Sequence, residues 1–129
     1  MLKDLVPLME PAMHTLTAIL PCTDLDAAEA FFARLGFDRA NAWPGYRILK
    51  HSKGGDLHLN QTEAGLLPPG HNPSGLYLYC DDVDGLAKEF AGEIVGKAGK
   101  PEHKPWGMYE FALNGPNDVL VRIGQPSAR

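Results

Sequence analysis

Two pairs of carboxylates recur behind cysteines in this chain: Asp24 and Asp26 after Cys22, and Asp82 and Asp84 after Cys80. Paired carboxylates are residue types of general acid–base work. Helix capping is the simpler role, because an aspartate just before an apolar-periodic run accepts hydrogen bonds from the free amides of the first turn. His58, with a leucine on each side in "LHL", either ligates a metal or lines a cleft, and its neighbours favour the cleft. His103 lies in the charged segment "PEHKP" and reads as solvated. Neither cysteine has a context that suggests activation, and no glycine-flanked serine marks a nucleophile elbow. The stretch "PGHNPSG" leads into a strand, not into the helix that a phosphate loop requires. Aromatic residues carry the remaining chemistry. Trp43, Tyr46, Tyr77, Tyr79 and Tyr109 sit in strand-like runs, where aromatics more often fill a core than form a ligand platform. Trp106 differs, because "KPWGMY" places it between a proline and a glycine that mark a bend, where a large ring can overhang a cleft.

A sequence written twice positions these residues. "PCTDLDAAEAFF" at 21–32 returns as "YCDDVDGLAKEF" at 79–90, matching Cys22 to Cys80, Asp24 to Asp82 and Phe32 to Phe90 at one offset, 80 − 22 = 58. The apolar, β-branched "HTLTAIL" at 14–20 predicts a strand, which Pro21 ends because proline has no N–H for the ladder. Asp24 then caps a helix over 24–36, with Leu25, Ala28, Phe32 and Leu35 as its buried stripe and Gly36 as its left-handed stop. The second copy repeats the plan, with a strand at 75–80 and a helix at 82–92 that turns Val83, Leu86, Ala87 and Phe90 inward. Three strand-like runs follow each helix, at 37–43, 46–52 and 56–60, and again at 99–104, 108–114 and 119–124. The chain is therefore βαβββ twice, a first module over 14–61 and a second over 75–125. Residues 62–74, proline-rich and aperiodic, form the linker, with a mobile lid as the second reading. Residues 1–13 form an N-terminal arm.

Length and charge limit the partners. A chain of 129 residues is one ordinary domain, 1–129, able to bury roughly two thirds of its unfolded surface. A formal charge of −4 leaves no basic stripe for nucleic acid. Pro7, Pro11, Asp4 and Glu10 interrupt the one apolar opening stretch, so neither a signal peptide nor a membrane span is expected, and a cytoplasmic location is. In that reducing compartment the two matched cysteines read as buried thiols.

The doubled βαβββ pattern, the opening "LPCTDLDAAEAFFARLGF" and the closing "PWGMYEFALNGPNDVLVRIGQ" resemble the vicinal oxygen chelate, or glyoxalase/bleomycin resistance protein/dioxygenase, superfamily over nearly the whole chain. The likeness is greatest to its bleomycin resistance proteins. One departure is the turn Asn114-Gly115-Pro116-Asn117, where that family usually has Asp-Pro-Asp-Gly. The resemblance implies an α+β fold in which two curled mixed sheets enclose a cleft, with the helices as outer buttresses. It also implies four cleft-facing positions that catalytic members fill with His, Glu or Gln. By motif spacing these fall on Thr17, His58, Gly75 and Arg122. Only His58 could bind a metal, and an arginine cation would repel one, so no metal and no cofactor are expected.

The reading that follows is a metal-independent protein that sequesters an aromatic antibiotic or related small molecule without turnover; the balance of residues is against an enzyme. The resemblance implies a homodimer with shared clefts and a ligand-facing tryptophan at Trp106. A flat ring would stack on Trp106 and Trp43, with Tyr46, His58, Asn60 and Tyr109 offering hydrogen bonds. Trp106 has no aromatic counterpart aligned in the first half. Arg122 favours a carboxylate or phosphate on the ligand, unless Glu110 on the neighbouring strand pairs with it. Two alternatives stand beside this reading: a metal-dependent lyase, isomerase or dioxygenase using His58, and a ligand sensor or interaction module.

Overall fold

The computed structural model describes residues 14–127, so the N-terminal arm lies outside the described residues. The first module runs β1 (Ala18–Cys22), α1 (Leu25–Ala33), β2 (Phe37–Trp43), β3 (Tyr46–His51) and β4 (Asp56–Gln61). The second runs β5 (Gly75–Tyr79), α2 (Val83–Glu89), β6 (Glu102–His103), β7 (Met108–Asn114) and β8 (Leu120–Pro126). Each module makes one four-stranded sheet, ordered β1-β4-β3-β2 and β5-β8-β7-β6. First and last strands lie side by side and parallel, Ile19 beside His58 and Tyr77 beside Arg122.

The carboxylate pairs have structural work. Asp24 accepts from the Ala27 N–H and Asp82 from the Gly85 N–H, each at 3.0 Å, which caps both helices. Asp26 pairs with Arg47 at 2.8 Å, and Asp84 accepts from the Tyr109 hydroxyl at 2.6 Å. Both helices are shorter than predicted, because the chain leaves α1 in a turn ending at Gly36 (φ 97°) and leaves α2 after Glu89. Pro21 does not end β1. It lies within a strand at the edge of its sheet, where a missing N–H faces no ladder. The strand expected over 99–104 shrinks to two residues, since Gly92, Gly96 and Gly99 all hold positive φ just before it.

One hydrophobic cluster spans both modules. Leu20, Leu49, Leu57 and Leu59 from the first sheet and Phe111, Leu113, Val121 and Ile123 from the second pack with Phe32, Val83 and Phe90 of the helical segments. The Phe31 and Phe90 rings approach to 6.2 Å, and the Arg34 guanidinium lies 4.1 Å over Phe90 while bonding Glu93 and the Glu89 carbonyl. The helices therefore meet each other between the sheets. The helices thus back both sheets from the core side, and both helix-free sheet faces turn away from the shared core.

The unusual turn before β8 braces the modules. Asn117 and Asp118 hold φ of 52° and 63°, conformations that non-glycine residues adopt at a cost. Side-chain bonds offset it: Asn117 accepts from the Thr23 N–H and donates to its hydroxyl, both at 3.0 Å, tying the second module to the entry of α1. Asp118 accepts from the Gly70 N–H at 2.7 Å, and Asn72 donates to the Asn117 carbonyl at 3.1 Å. The end of the linker is thereby fastened, which argues against a lid.

Candidate functional site

On the helix-free face of the second sheet, strand alternation brings Tyr77 and Tyr79 of β5, Arg122 of β8 and Glu110 of β7 to one side. Glu110 is only 3% exposed, the one buried charged residue among those described. A buried carboxylate is costly unless it is paired and hydrogen-bonded. Three donors meet it: the Tyr77 hydroxyl at 2.9 Å and the Trp106 indole N–H at 3.0 Å on Oε1, and the Arg122 guanidinium at 3.1 Å on Oε2. Gly124 makes room, since a Cβ there would run into the Tyr77 hydroxyl and the Glu110 Cβ.

Burial pushes the Glu110 carboxyl upward, but these three donors and the Arg122 charge outweigh it and hold the group below the ordinary carboxylate range. Their stabilisation is complete above the unfolded value of about 4.3 and is lost as pH falls through the lower folded value. Burial, then the bond to Glu110, raises the Tyr77 hydroxyl far above its usual value, so it remains a donor. Above this polar cluster, Trp106 is 59% exposed and Tyr79 70%.

The first sheet has a matching wall. Tyr46 and Asn60 are register partners, as are Ile48 and His58, and Trp43 pairs with Tyr46. The Tyr46 hydroxyl and His58 Nδ1 are 2.7 Å apart, with their rings edge to face at 5.4 Å. Trp43 is half exposed and Ile19 stands open beside His58. The two walls share one plan: Tyr46 reaches diagonally to His58 as Glu110 does to Arg122, at a common offset of 64 (122 − 58 and 110 − 46). By that register Trp43 occupies the hairpin corner corresponding to Trp106, one position away. Trp106 therefore has an aromatic counterpart, contrary to the sequence reading, because the strands match at an offset of 64 and not at the 58 of the helical repeat.

Of the predicted ligand residues, Trp106 and Arg122 come together on the second wall, and Trp43, Tyr46, His58 and Asn60 on the first. Tyr109 joins neither. It follows the opposite parity to Glu110, donates to Asp84 on α2 and stacks near His103 at 4.6 Å. The sequence reading placed Tyr77 and Tyr79 in the core and gave Glu110 only a conditional part; the alternation Leu76-Tyr77-Leu78-Tyr79 already signals two faces. Two depressions at the module junction, of about 590 and 150 Å³, are lined by residues such as Leu35, Gly54, Leu78 and Asp82 or Phe37, and by none of the predicted ligand residues.

The four positions implied by resemblance fall just before β1 (Thr17), in β4 (His58), at the start of β5 (Gly75) and in β8 (Arg122). Among the described residues no three His, Cys, Asp or Glu side chains converge as a metal site would need. Cys22 is buried, with its thiol pushed up to about 11 by burial, whereas Cys80 is only half-buried, and burial raises it too. Neither is an activated nucleophile. No helix among the described residues is long and apolar enough to cross a membrane.

Comparison with known proteins agrees with this architecture. No curated protein sequence matches the chain. A bleomycin resistance determinant encoded on the transposon Tn5 superposes with a TM-score of 0.73 at 26% identity, covering 88% of this chain and 98% of its own. A bleomycin-binding protein complexed with bleomycin gives 0.72 at 26% identity, covering 89% and 100%. A lactoylglutathione lyase from Agrobacterium tumefaciens shares the fold at 22% identity and a TM-score of 0.66, covering 90% and 95%. The family model of the Glyoxalase/Bleomycin resistance protein/Dioxygenase superfamily matches residues 13–123. With two βαβββ modules, first and last strands paired in parallel in each, and a match of that extent, this chain belongs to the Glyoxalase/Bleomycin resistance protein/Dioxygenase superfamily.

Proposed function

We propose that the protein binds a small molecule bearing a flat aromatic group and sequesters it without chemical change, as a homodimer in the cytoplasm. The observation that carries this reading is Trp106: a ring more than half exposed, yet anchored through its N–H to a buried carboxylate. An exposed ring held in place is a stacking surface, and stacking is worth roughly 1–3 kcal/mol per ring. The bleomycin resistance determinant and the bleomycin-binding protein, similar to this chain over nearly their whole length, support an antibiotic or related aromatic compound as the ligand. Because Arg122 is paired with Glu110, the wall imposes no demand for an anionic group. A thermal-shift screen of antibiotics and aromatic metabolites, repeated on Trp106→Ala, tests the reading: a compound that stabilises the parent and not the variant supports it, and equal stabilisation of both contradicts it.

Packing supports the dimer. Both walls turn away from the chain's own core, leaving Ile19, Trp43, Tyr79 and Trp106 open to water. A second copy that sets its Tyr46–His58 wall against the Trp106–Arg122 wall would cover them and form two equivalent clefts, the arrangement a twofold axis requires. Sedimentation at micromolar concentration is expected to give twice the 14.0 kDa chain mass. A monomer under those conditions would remove the second wall from the site. Deletion of residues 1–13 is expected to weaken the dimer if the arm clasps the partner.

A further inference from the structure

We propose that Glu110 is a positioning residue of the ligand wall: its ionised carboxylate holds the Trp106 indole and the Arg122 guanidinium in one arrangement, so that stacking on Trp106 depends on it. The inference rests on the reading of this wall as a ligand surface. Trp106 sits in a turn between Pro105 and Gly107, whose φ is 85°, and its side chain has one hydrogen bond, to Glu110 Oε1. Nothing else among the described contacts orients so exposed a ring. The same oxygen takes the Tyr77 hydroxyl, and Oε2 takes Arg122, so β5, β8 and the β6–β7 turn converge on one carboxylate.

Sheet stability alone does not call for this group. An apolar side chain would fill a buried strand position without the desolvation that a carboxylate suffers. What the carboxylate supplies is direction, because a charged acceptor binds its donors more strongly than a neutral one. The other charged or titratable groups on this face are Tyr79 on β5, Glu102 on β6 and Lys104 just beyond it. Glu102 is the register partner of Glu110 and accepts from Lys104 at 3.4 Å, so the pair adds no net charge beside Glu110. The first wall repeats the diagonal with Tyr46 and His58, and among the described residues the Trp43 indole makes no comparable bond. Among the described residues the anchored ring therefore belongs to the second module.

The test uses the full chain and two readouts. One is the indole N–H resonance of Trp106 in the protein NMR spectrum, with that of Trp43 as internal control. The other is affinity for 1-pyrenemethanol, a flat probe that carries no charge across the working pH range. Glu110→Gln keeps an acceptor oxygen but removes the charge. It is expected to move the Trp106 resonance upfield, leave that of Trp43 in place and weaken probe binding about fivefold, the order expected when a charge-assisted bond becomes a neutral one. Trp106→Phe, at an exposed position that does not threaten folding, keeps a ring but loses the anchor, and should weaken the probe nearly as much as Trp106→Ala. A Trp106 resonance unmoved in Glu110→Gln overturns the positioning role whatever the wall binds. So does probe affinity in Trp106→Phe equal to that of the parent, which is also the deciding result if Glu110→Gln does not fold. A parent that fails to bind the probe, with its Trp106 resonance still sensitive to Glu110, overturns the ligand-wall reading itself and this role with it.

Discussion

Trp106→Ala is expected to weaken binding of a flat aromatic ligand by roughly tenfold or more, the equivalent of about 1.4 kcal/mol or above. Its unfolding midpoint should stay within about 5 °C of the parent. The two effects separate because the ring lies largely in water: a core tryptophan cut to alanine costs about 3–5 kcal/mol, whereas this one fills no cavity. Its removal also leaves Glu110 with two donors, Tyr77 and Arg122, so no buried carboxylate is orphaned. Calorimetric titration and thermal melting of the same preparation check both parts. A variant that unfolds would show that Trp106 belongs to the packing, and one that binds unchanged would show that the ligand lies elsewhere.

Gly124→Ala, by contrast, should damage the wall from beneath. A methyl group at this position meets the Tyr77 hydroxyl and the Glu110 Cβ, and neither can yield freely, because each is fixed by the bond between them. Overpacking of this kind, with a buried acceptor pulled from one donor, is expected to cost about 2–3 kcal/mol in the unfolding free energy. Denaturant titration should show the loss as a lower midpoint at unchanged slope. Tyr77→Phe in the Gly124→Ala background removes the hydroxyl in the way and should recover part of it. Parental stability in Gly124→Ala would mean that the close approach of the Tyr77 hydroxyl to Gly124 of β8 is not needed.

The sequence made the repeat legible because its carriers are local. A capping aspartate, an apolar stripe at helical spacing and a terminal glycine each act within a few residues, and Asp24, Phe32, Gly36, Asp82 and Phe90 take the places their types predict. Pro21 misled because proline excludes a strand from the middle of a sheet only, and edge position is a property of topology. Tyr109 misled through parity: one residue separates it from Glu110, and in a strand one residue is the difference between wall and helix side. The role of Glu110 was half visible, as a possible partner of Arg122. Its bonds to Trp106 and Tyr77 were not, since one comes from a turn and the other from a strand more than 30 residues earlier. The outward turn of both walls was hidden most deeply, because it depends on helices meeting through Phe31, Arg34 and Phe90, contacts between modules that no local pattern encodes.

Stoichiometric binding without turnover, at a Trp106 wall completed by a second chain, can be read in one experiment: titration of the purified protein with the most stabilising compound from the screen, under sedimentation conditions, followed by recovery of that compound for mass spectrometry. One ligand per chain is expected, bound to a dimer and recovered at its original mass after prolonged incubation. A product of altered mass formed faster than in buffer, or saturable binding by a monomer, would contradict it.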